Sequence, residues 1–199
     1  MLVAALPEDL CLSYANTLSW RGSDPPMETL KSVADLLAWL EQSVGAGAGE
    51  TRGIARWASR NAKAAAGLLA EAIAVREVLF RVFHALATGA SVREADFAAL
   101  TRALAQAPAR RELAHAKRGY GWQLVPPEPT VPALLAPVLW SAADLMIEGE
   151  RRRVRQCANE KCLWLFLDES KNGTRRWCDM ASCGNRAKAR RHYLKIKQG

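Results

Sequence analysis

Residues 157–193 read CANEKCLWLFLDESKNGTRRWCDMASCGNRAKARRHY, and the fold and function of the chain are best approached from this stretch. It holds four of the five cysteines as two pairs, Cys157/Cys162 and Cys178/Cys183. Four residues lie within each pair and fifteen between the pairs. Zinc takes four soft or borderline ligands in a tetrahedron, with zinc–sulfur bonds of about 2.3 Å. Two short-range pairs from separate turns meet that need, and a spacer of four sits at the long end of the usual range. Leu163, Leu165 and Leu167 alternate with Trp164 and Phe166, which predicts a nearly all-apolar strand. Asn172-Gly173 is a tight-turn signal, so Arg175-Arg176-Trp177 is expected to return as the second strand of a hairpin. Gly184 follows the fourth cysteine, where a missing side chain lets the backbone pass close to sulfur, and a helix is expected from there. Knuckle, hairpin and helix in that order form a treble-clef-like finger, with the helix N-terminus beside the second pair of thiolates. Four thiolates close the zinc shell, so one structural Zn2+ per chain is expected rather than a hydrolytic one. Two disulfides and free thiols are the competing readings. An iron–sulfur cluster suits the ligand count, though less well the small finger.

Charge falls on the same stretch. The chain of 199 residues carries 28 Lys+Arg and 20 Asp+Glu, a net charge of +8. Residues 1–150 hold 14 basic and 16 acidic side chains, whereas residues 151–199 hold 14 and 4. The whole basic excess therefore lies in the last quarter, where it attracts polyanions by releasing their condensed counterions. A solvated, solubilising tail is the plainer reading. On a helical wheel Arg186, Arg190 and Lys197 form one stripe, and Lys188, Arg191 and Lys195 a nearly opposite one. Ala189, Tyr193 and Ile196 share an apolar stripe, while Ala187 and Leu194 make a second. One apolar stripe is expected against the finger, and the wheel does not say which. Arg175, Arg176, Arg186, Lys188, Arg190, Arg191 and Lys195 are the candidate nucleic-acid contacts. Asn185 and Arg186 serve equally well as structural residues that hold the finger to its own backbone.

Residues 1–150 read as a mostly helical domain, and residues 151–199 as the finger with its basic helix. Leu10, Tyr14 and Leu18 stand at helical spacing, and Cys11 among them reads as a small buried hydrophobe. Ser32 and Asp35 form an Asp variant of the capping box ahead of the apolar face Val33, Leu36, Leu37 and Leu40, with Trp39 beside it. Gly45, Gly47 and Gly49 predict a flexible loop, and about Arg52 to Ala87 one long Ala-rich helix stopped at Gly89. Ser91 and Glu94 predict a capping box for a helix ending near Gln106. Period-two alternation around Arg118-Gly119, with Leu113, His115, Tyr120, Trp122 and Leu124, predicts a β-hairpin ended by Pro126, Pro127 and Pro129. His115 has no second ligand nearby in sequence and is read as structural. Thr130 is expected to cap a helix from Ala133 to about Ile147. The fold class is thus mainly α with a small β-hairpin in the N-terminal domain, plus a C-terminal treble-clef-like zinc finger. No phosphate-binding glycine motif and no nucleophile–base set stands in residues 1–150, so no enzyme is expected.

The N-terminus lacks a basic n-region, and Glu8 and Asp9 interrupt its apolar run, unlike a signal peptide. No stretch approaches the roughly 18 apolar residues of a membrane span, so a cytoplasmic protein without membrane contact is expected. In that compartment paired cysteines are more often metal ligands than disulfides.

The segments Arg175-Arg176-Trp177-Cys178-Asp179-Met180 and Cys183-Gly184-Asn185-Arg186-Ala187-Lys188 resemble the signature of the CGNR zinc-finger family. Leu10-Cys11-Leu12-Ser13-Tyr14-Ala15-Asn16-Thr17-Leu18 resembles the opening of its usual partner, the ABATE domain. Ser13 stands where that opening has an acidic residue, so no role for such a carboxylate is carried over. The resemblance implies a bacterial, DNA-binding, stress-related transcription regulator. Double-stranded DNA is the expected partner, with a homodimer and an unidentified small effector as further partners of the N-terminal domain by analogy. The alternative is an RNA- or protein-interaction module whose finger is only a scaffold.

Overall fold

In the computed structural model, residues 2–3, 6–45, 48–115, 119–123, 130–149 and 153–198 are described. Leu124, Arg118 and Pro126, Pro127 and Pro129 of the expected hairpin and its exit lie outside them. The chain runs β1 (Leu2–Val3), α1 (Leu10–Ala15), β2 (Leu18–Ser19), β3 (Met27–Glu28), α2 (Val33–Val44), α3 (Ala48–Arg60) and α4 (Ala62–Thr88). It continues with α5 (Glu94–Gln106), β4 (Glu112–His115), β5 (Tyr120–Gln123), α6 (Val131–Leu134) and α7 (Ala136–Glu148). The finger adds β6 (Val154–Gln156), β7 (Leu165–Leu167), a π-turn (Met180–Gly184) and α8 (Asn185–Gln198). The fold is mainly α with small antiparallel hairpins, as expected.

The central element is α4, against which α1, α2, α3, α5, β6 and β7 all pack. Its buried face offers Leu68, Ala72, Leu79, Val82 and Phe83 to Leu10 and Tyr14 of α1 and Leu36 and Leu40 of α2. Burial of such side chains stabilises by about 1.5–3 kcal/mol each. The Tyr14 hydroxyl donates to the Ala72 carbonyl at 2.8 Å, so its polar end is satisfied inside the core. Cys11 is buried among apolar groups, and burial pushes its thiol up to about 12.

Several boundaries depart from the sequence expectations. The long helix is two, broken at Asn61, whose amide donates to the Trp57 carbonyl at 2.9 Å. A short polar side chain that bonds its own backbone competes with the helix there. Gly49 lies inside α3 rather than in a loop, while Gly45 closes α2 at φ 67°. Ser32 caps α2 as expected, accepting from the Asp35 N–H at 3.2 Å. Ser91 caps nothing: α5 starts after an extended Arg93, and buried Asp96 is held instead by Arg81 at 2.7 Å. Thr130 sits at the head of α6 without a side-chain cap, and the expected single helix turns at Leu135 into α6 and α7. The hairpin β4–β5 forms with Leu113 opposite Trp122 and His115 opposite Tyr120, and β1 adds to it as a third strand. His115 packs on Tyr120, ring centroids 5.0 Å apart.

A buried ionic network pins the segment that reaches the finger. Arg76 of α4, only 2% exposed, grips Glu28 of β3 through both terminal nitrogens at 2.6 and 2.8 Å, and bonds Glu77 at 2.9 Å. Arg21 binds Glu77 at 2.7 and 3.0 Å and lies 3.8 Å above the Phe80 ring. Burial alone would raise both carboxyls, but these guanidiniums hold Glu28 and Glu77 below the ordinary range. Removing one partner of such a set strands a buried charge.

Candidate metal centre and basic helix

The cysteine sulfurs meet at the junction of three local structures. The knuckle Cys157–Cys162 is a turn whose Asn159 carbonyl accepts from the Cys162 N–H at 2.8 Å, while its side-chain oxygen accepts from Lys161 N–H at 3.1 Å. Cys178 ends the irregular segment after β7, and Cys183 lies in the π-turn that leads into α8. Asp179 caps that turn, accepting from the Ala181 and Ser182 N–H groups at 3.2 and 2.8 Å. The hydrogen bonds from Ser182 and Ala181 hold its carboxyl below the usual range.

All four Sγ atoms lie within 4.8 Å of one another, and Cys162 and Cys178 are 3.8 Å apart. A tetrahedron with 2.3 Å zinc–sulfur bonds has edges of about 3.8 Å. A disulfide needs about 2.05 Å, and all five cysteines are free. Without a cation, sulfurs this crowded must share protons. Hydrogen bonds from Cys162 and Cys178 pull Cys157 down, and the same interactions push Cys162 and Cys178 up. A divalent ion removes that conflict by letting every thiol ionise. Asn159 adds an outer contact, its amide donating to Cys183 Sγ at 3.5 Å, the kind of bond that orients a ligand. The donor set therefore fits one structural zinc per chain, held by Cys157, Cys162, Cys178 and Cys183.

The hairpin of the finger is not the one the sequence suggests. Leu165–Leu167 pairs with the upstream segment Val154–Gln156, and Arg175-Arg176-Trp177 forms no strand. The knuckle itself makes the turn, so the residues before Cys157 lie beside those after Cys162. The other edge of β7 is already taken. Leu165 donates its N–H to Asn16 Oδ1 at 3.0 Å and accepts from Asn16 Nδ2 at 2.8 Å, so one amide side chain stands in for a strand. Beyond β7, the buried Asp168 carboxylate accepts from the N–H groups of Ser170 and Arg175 at 3.0 and 3.1 Å, which bends the chain away. Gly173 still turns at φ 59°, in that loop rather than between two strands.

Alternation along β7 gives the finger two buried faces. Leu165 and Leu167 enter the core of residues 10–145, whereas Phe166 joins the cysteines, Trp20 and Trp177. β7 thus belongs to both clusters and ties the cysteine cluster to the core of residues 10–145. Trp20 and Gly22 complete the seam. Gly22 donates its N–H to the Lys161 carbonyl at 3.2 Å, and a Cβ there would collide with the Glu160 carbonyl. Gly184, expected to clear sulfur, instead makes room for the Met180 thioether, 2.7 Å from where its Cβ would be.

These features are those of a known pair of sequence families. The ABATE family model, described as "Putative stress-induced transcription regulator", matches residues 8–149. The chain belongs to the ABATE family. A second model, the CGNR zinc finger, matches residues 153–195 and so covers the cysteine centre and most of α8. Comparison with curated proteins gives no match.

The candidate basic residues of this ABATE-family chain divide by what they touch. Arg175 is engaged inside the finger: its guanidinium donates to the Trp177 carbonyl at 2.9 Å and to the Cys178 carbonyl, and lies 4.6 Å over Phe166. Arg176 lies 5.4 Å over Trp177, and Arg186 lies 4.6 Å over Trp20. Lys188 and Arg190 are exposed, whereas the side chains of Arg191 and Lys195 lie outside the described part of α8. Asn185 donates to the Ala181 carbonyl at 3.1 Å, a structural bond within the turn. Of the two apolar stripes, Ala187 and Leu194 line an open cleft opposite the knuckle, with Leu194 still exposed, while Tyr193 and Ile196 are more exposed and do not line it. Trp20, Gly22, Asn159 and Asp168 carry no sequence pattern that marks them, whereas Asn16 and Asp179 lie inside the two motifs quoted above, which give no hint of the bonds they make.

Proposed function

We propose that this chain is a transcription regulator that binds duplex DNA through its zinc finger and basic helix, acting in the cytoplasm without membrane contact. The observation that carries this reading is α8 itself. Residues 185–198 include no acid, and the basic side chains Arg186, Lys188 and Arg190 have no carboxylate partner among the described residues. Cys183 anchors the helix start to the metal centre, so the charge is presented on a rigid element rather than a loose tail. Zinc, when bound, supplies no chemistry here beyond cross-linking the knuckle to the head of α8. Residues 8–149 then serve as the sensing or dimerising part.

Counterion release makes such binding salt-dependent, with a slope of about −0.9 per phosphate neutralised. Four contacts predict a loss of roughly two orders of magnitude in affinity between 50 and 200 mM salt. The test is a gel-shift and anisotropy titration of the zinc-loaded protein with duplex DNA, single strands and RNA. Neutralising Arg186, Lys188, Arg190 and Arg191 together abolishes binding while zinc content stays at one per chain. Unaltered affinity in that variant removes α8 as the contact, and preference for RNA moves the chain to another class.

A further inference from the structure

The wheel divides the basic side chains of α8 into two stripes and cannot choose between them. The tertiary structure separates them by their surroundings. Arg186 and Arg190 line a cleft of about 430 Å³ between α8 and the knuckle, with Ala187 and Leu194 beside them on the helix wall. Arg176 lines the same cleft from outside the helix, beside Trp177. Lys188 does not line it.

Three guanidiniums around one cleft repel each other unless an anion sits between them. Among the described residues, none of the three is paired with a carboxylate. Glu160 is the one acid among the described lining residues, and it too makes no ion pair with them. Two of the arginines are nonetheless stacked on aromatic faces. Arg186 lies over Trp20 and Arg176 over Trp177, at 4.6 and 5.4 Å from the ring centroids. Stacking of this kind leaves the in-plane N–H donors free and lowers the entropy cost of using them, which suits bidentate recognition of phosphate oxygens. The neighbour Arg175 shows the contrast, because its donors are already spent on the backbone of the finger.

We infer that this cleft is a phosphate seat: Arg176, Arg186 and Arg190 grip one or two backbone phosphates of duplex DNA. Lys188, on the opposite stripe, lies outside that contact. Ala187 and Leu194, both apolar and uncharged, leave room for the sugar edge to meet the helix between the arginines. The inference rests on the DNA-binding reading above and adds which face of the helix works.

The experiment compares the wild-type holoprotein with Arg176→Ala, Arg190→Ala and Lys188→Ala on one duplex between 50 and 200 mM salt. Each arginine variant is expected to bind about tenfold or more weakly, with the salt slope reduced by about 0.9 for each phosphate that is no longer neutralised. Lys188→Ala is expected to keep the wild-type slope. Arg186→Lys keeps the charge but not the planar stack on Trp20, so it should lose affinity with the slope unchanged. Zinc content at one per chain checks that each variant is folded; Arg176→Gln and Arg190→Gln replace any alanine variant that fails this check. Arginine variants with the wild-type slope, or a Lys188→Ala variant with a reduced one, overturn the phosphate seat while leaving DNA binding intact. A wild-type protein that binds no duplex overturns both.

Discussion

Replacing Asn16 with alanine tests the structural claim on which the most depends, that the zinc finger and the helical part form one cooperative unit. Asn16 is 4% exposed and its amide makes both bonds to Leu165, a residue 149 positions away. Asn16→Ala leaves the Leu165 N–H and C=O buried without partners. Each stranded group costs about 1–3 kcal/mol, so the pair costs roughly 2–6 kcal/mol. Against a typical total stability of about 5–15 kcal/mol, that is a large fraction. The assay is urea unfolding of the zinc-loaded protein, following tryptophan fluorescence and zinc release in the same samples. With a urea m-value of about 2 kcal/mol/M, a loss of about 4 kcal/mol lowers the midpoint by about 2 M. Both signals should move together, because Leu165 and Leu167 belong to the main core while Phe166 packs with the cysteines. Asn61→Ala is the control: its amide bond to Trp57 is exposed, and its loss should cost about 1 kcal/mol or less. A loss below about 1 kcal/mol for Asn16→Ala refutes the reasoning. So does zinc release well ahead of the fluorescence change in the wild type.

Two further outcomes follow from the same seam and from the charge network. Gly22→Ala forces the Trp20–Gly22 segment off the knuckle, because the new Cβ meets the Glu160 carbonyl. Overpacking of this kind costs about 1–3 kcal/mol and should weaken zinc retention in a chelator competition; unchanged retention shows that the knuckle does not lean on this loop. Asp96 is held below its ordinary 3.8 chiefly by its hydrogen bond from Arg81. Since its folded pKa is depressed, its stabilisation is fully present above the ordinary value and is lost as pH falls through the folded one. The stability gap between wild type and Asp96→Asn, read by thermal unfolding, should therefore be full near pH ~6 and shrink below about pH 4. A gap that grows with acid contradicts the assignment.

How much of this was readable in advance depended on the range of the interaction. Helix α2 was legible because its cap, Ser32 with Asp35, and its buried face, Val33, Leu36, Leu37 and Leu40, all lie within three turns. The metal ligands were legible for a related reason: thiolates at short spacing have few uses other than a shared ion, whatever surrounds them. The β4–β5 hairpin announced itself by alternation around Gly119. Where local signals competed, they misled. Asn172-Gly173 has the chemistry of a hairpin turn, and Gly173 does turn, but the strand it was expected to return had no free edge to join. Ser91 and Glu94 match a capping box by spacing, yet α5 starts after an extended Arg93 with no side-chain cap, and the acid held in its first turn is Asp96, bonded by Arg81 15 residues away.

The sequence alone determined the composition of this protein's working parts: four thiolates for one metal, an acid-free basic helix after them, and a mainly helical partner segment. These are properties of residue type and short spacing, and no fold can remove them. How the parts join was settled by long-range contacts. Asn16, Trp20 and Gly22, far upstream of the knuckle, close the edge of β7, lie beneath Arg186 and seat the Glu160–Lys161 turn. Contacts at such separation depend on the path of the backbone, which brings distant residues together without leaving any periodicity along the chain. The same path sorted the arginines, spending Arg175 on the finger's own backbone and leaving Arg176, Arg186 and Arg190 around one open cleft.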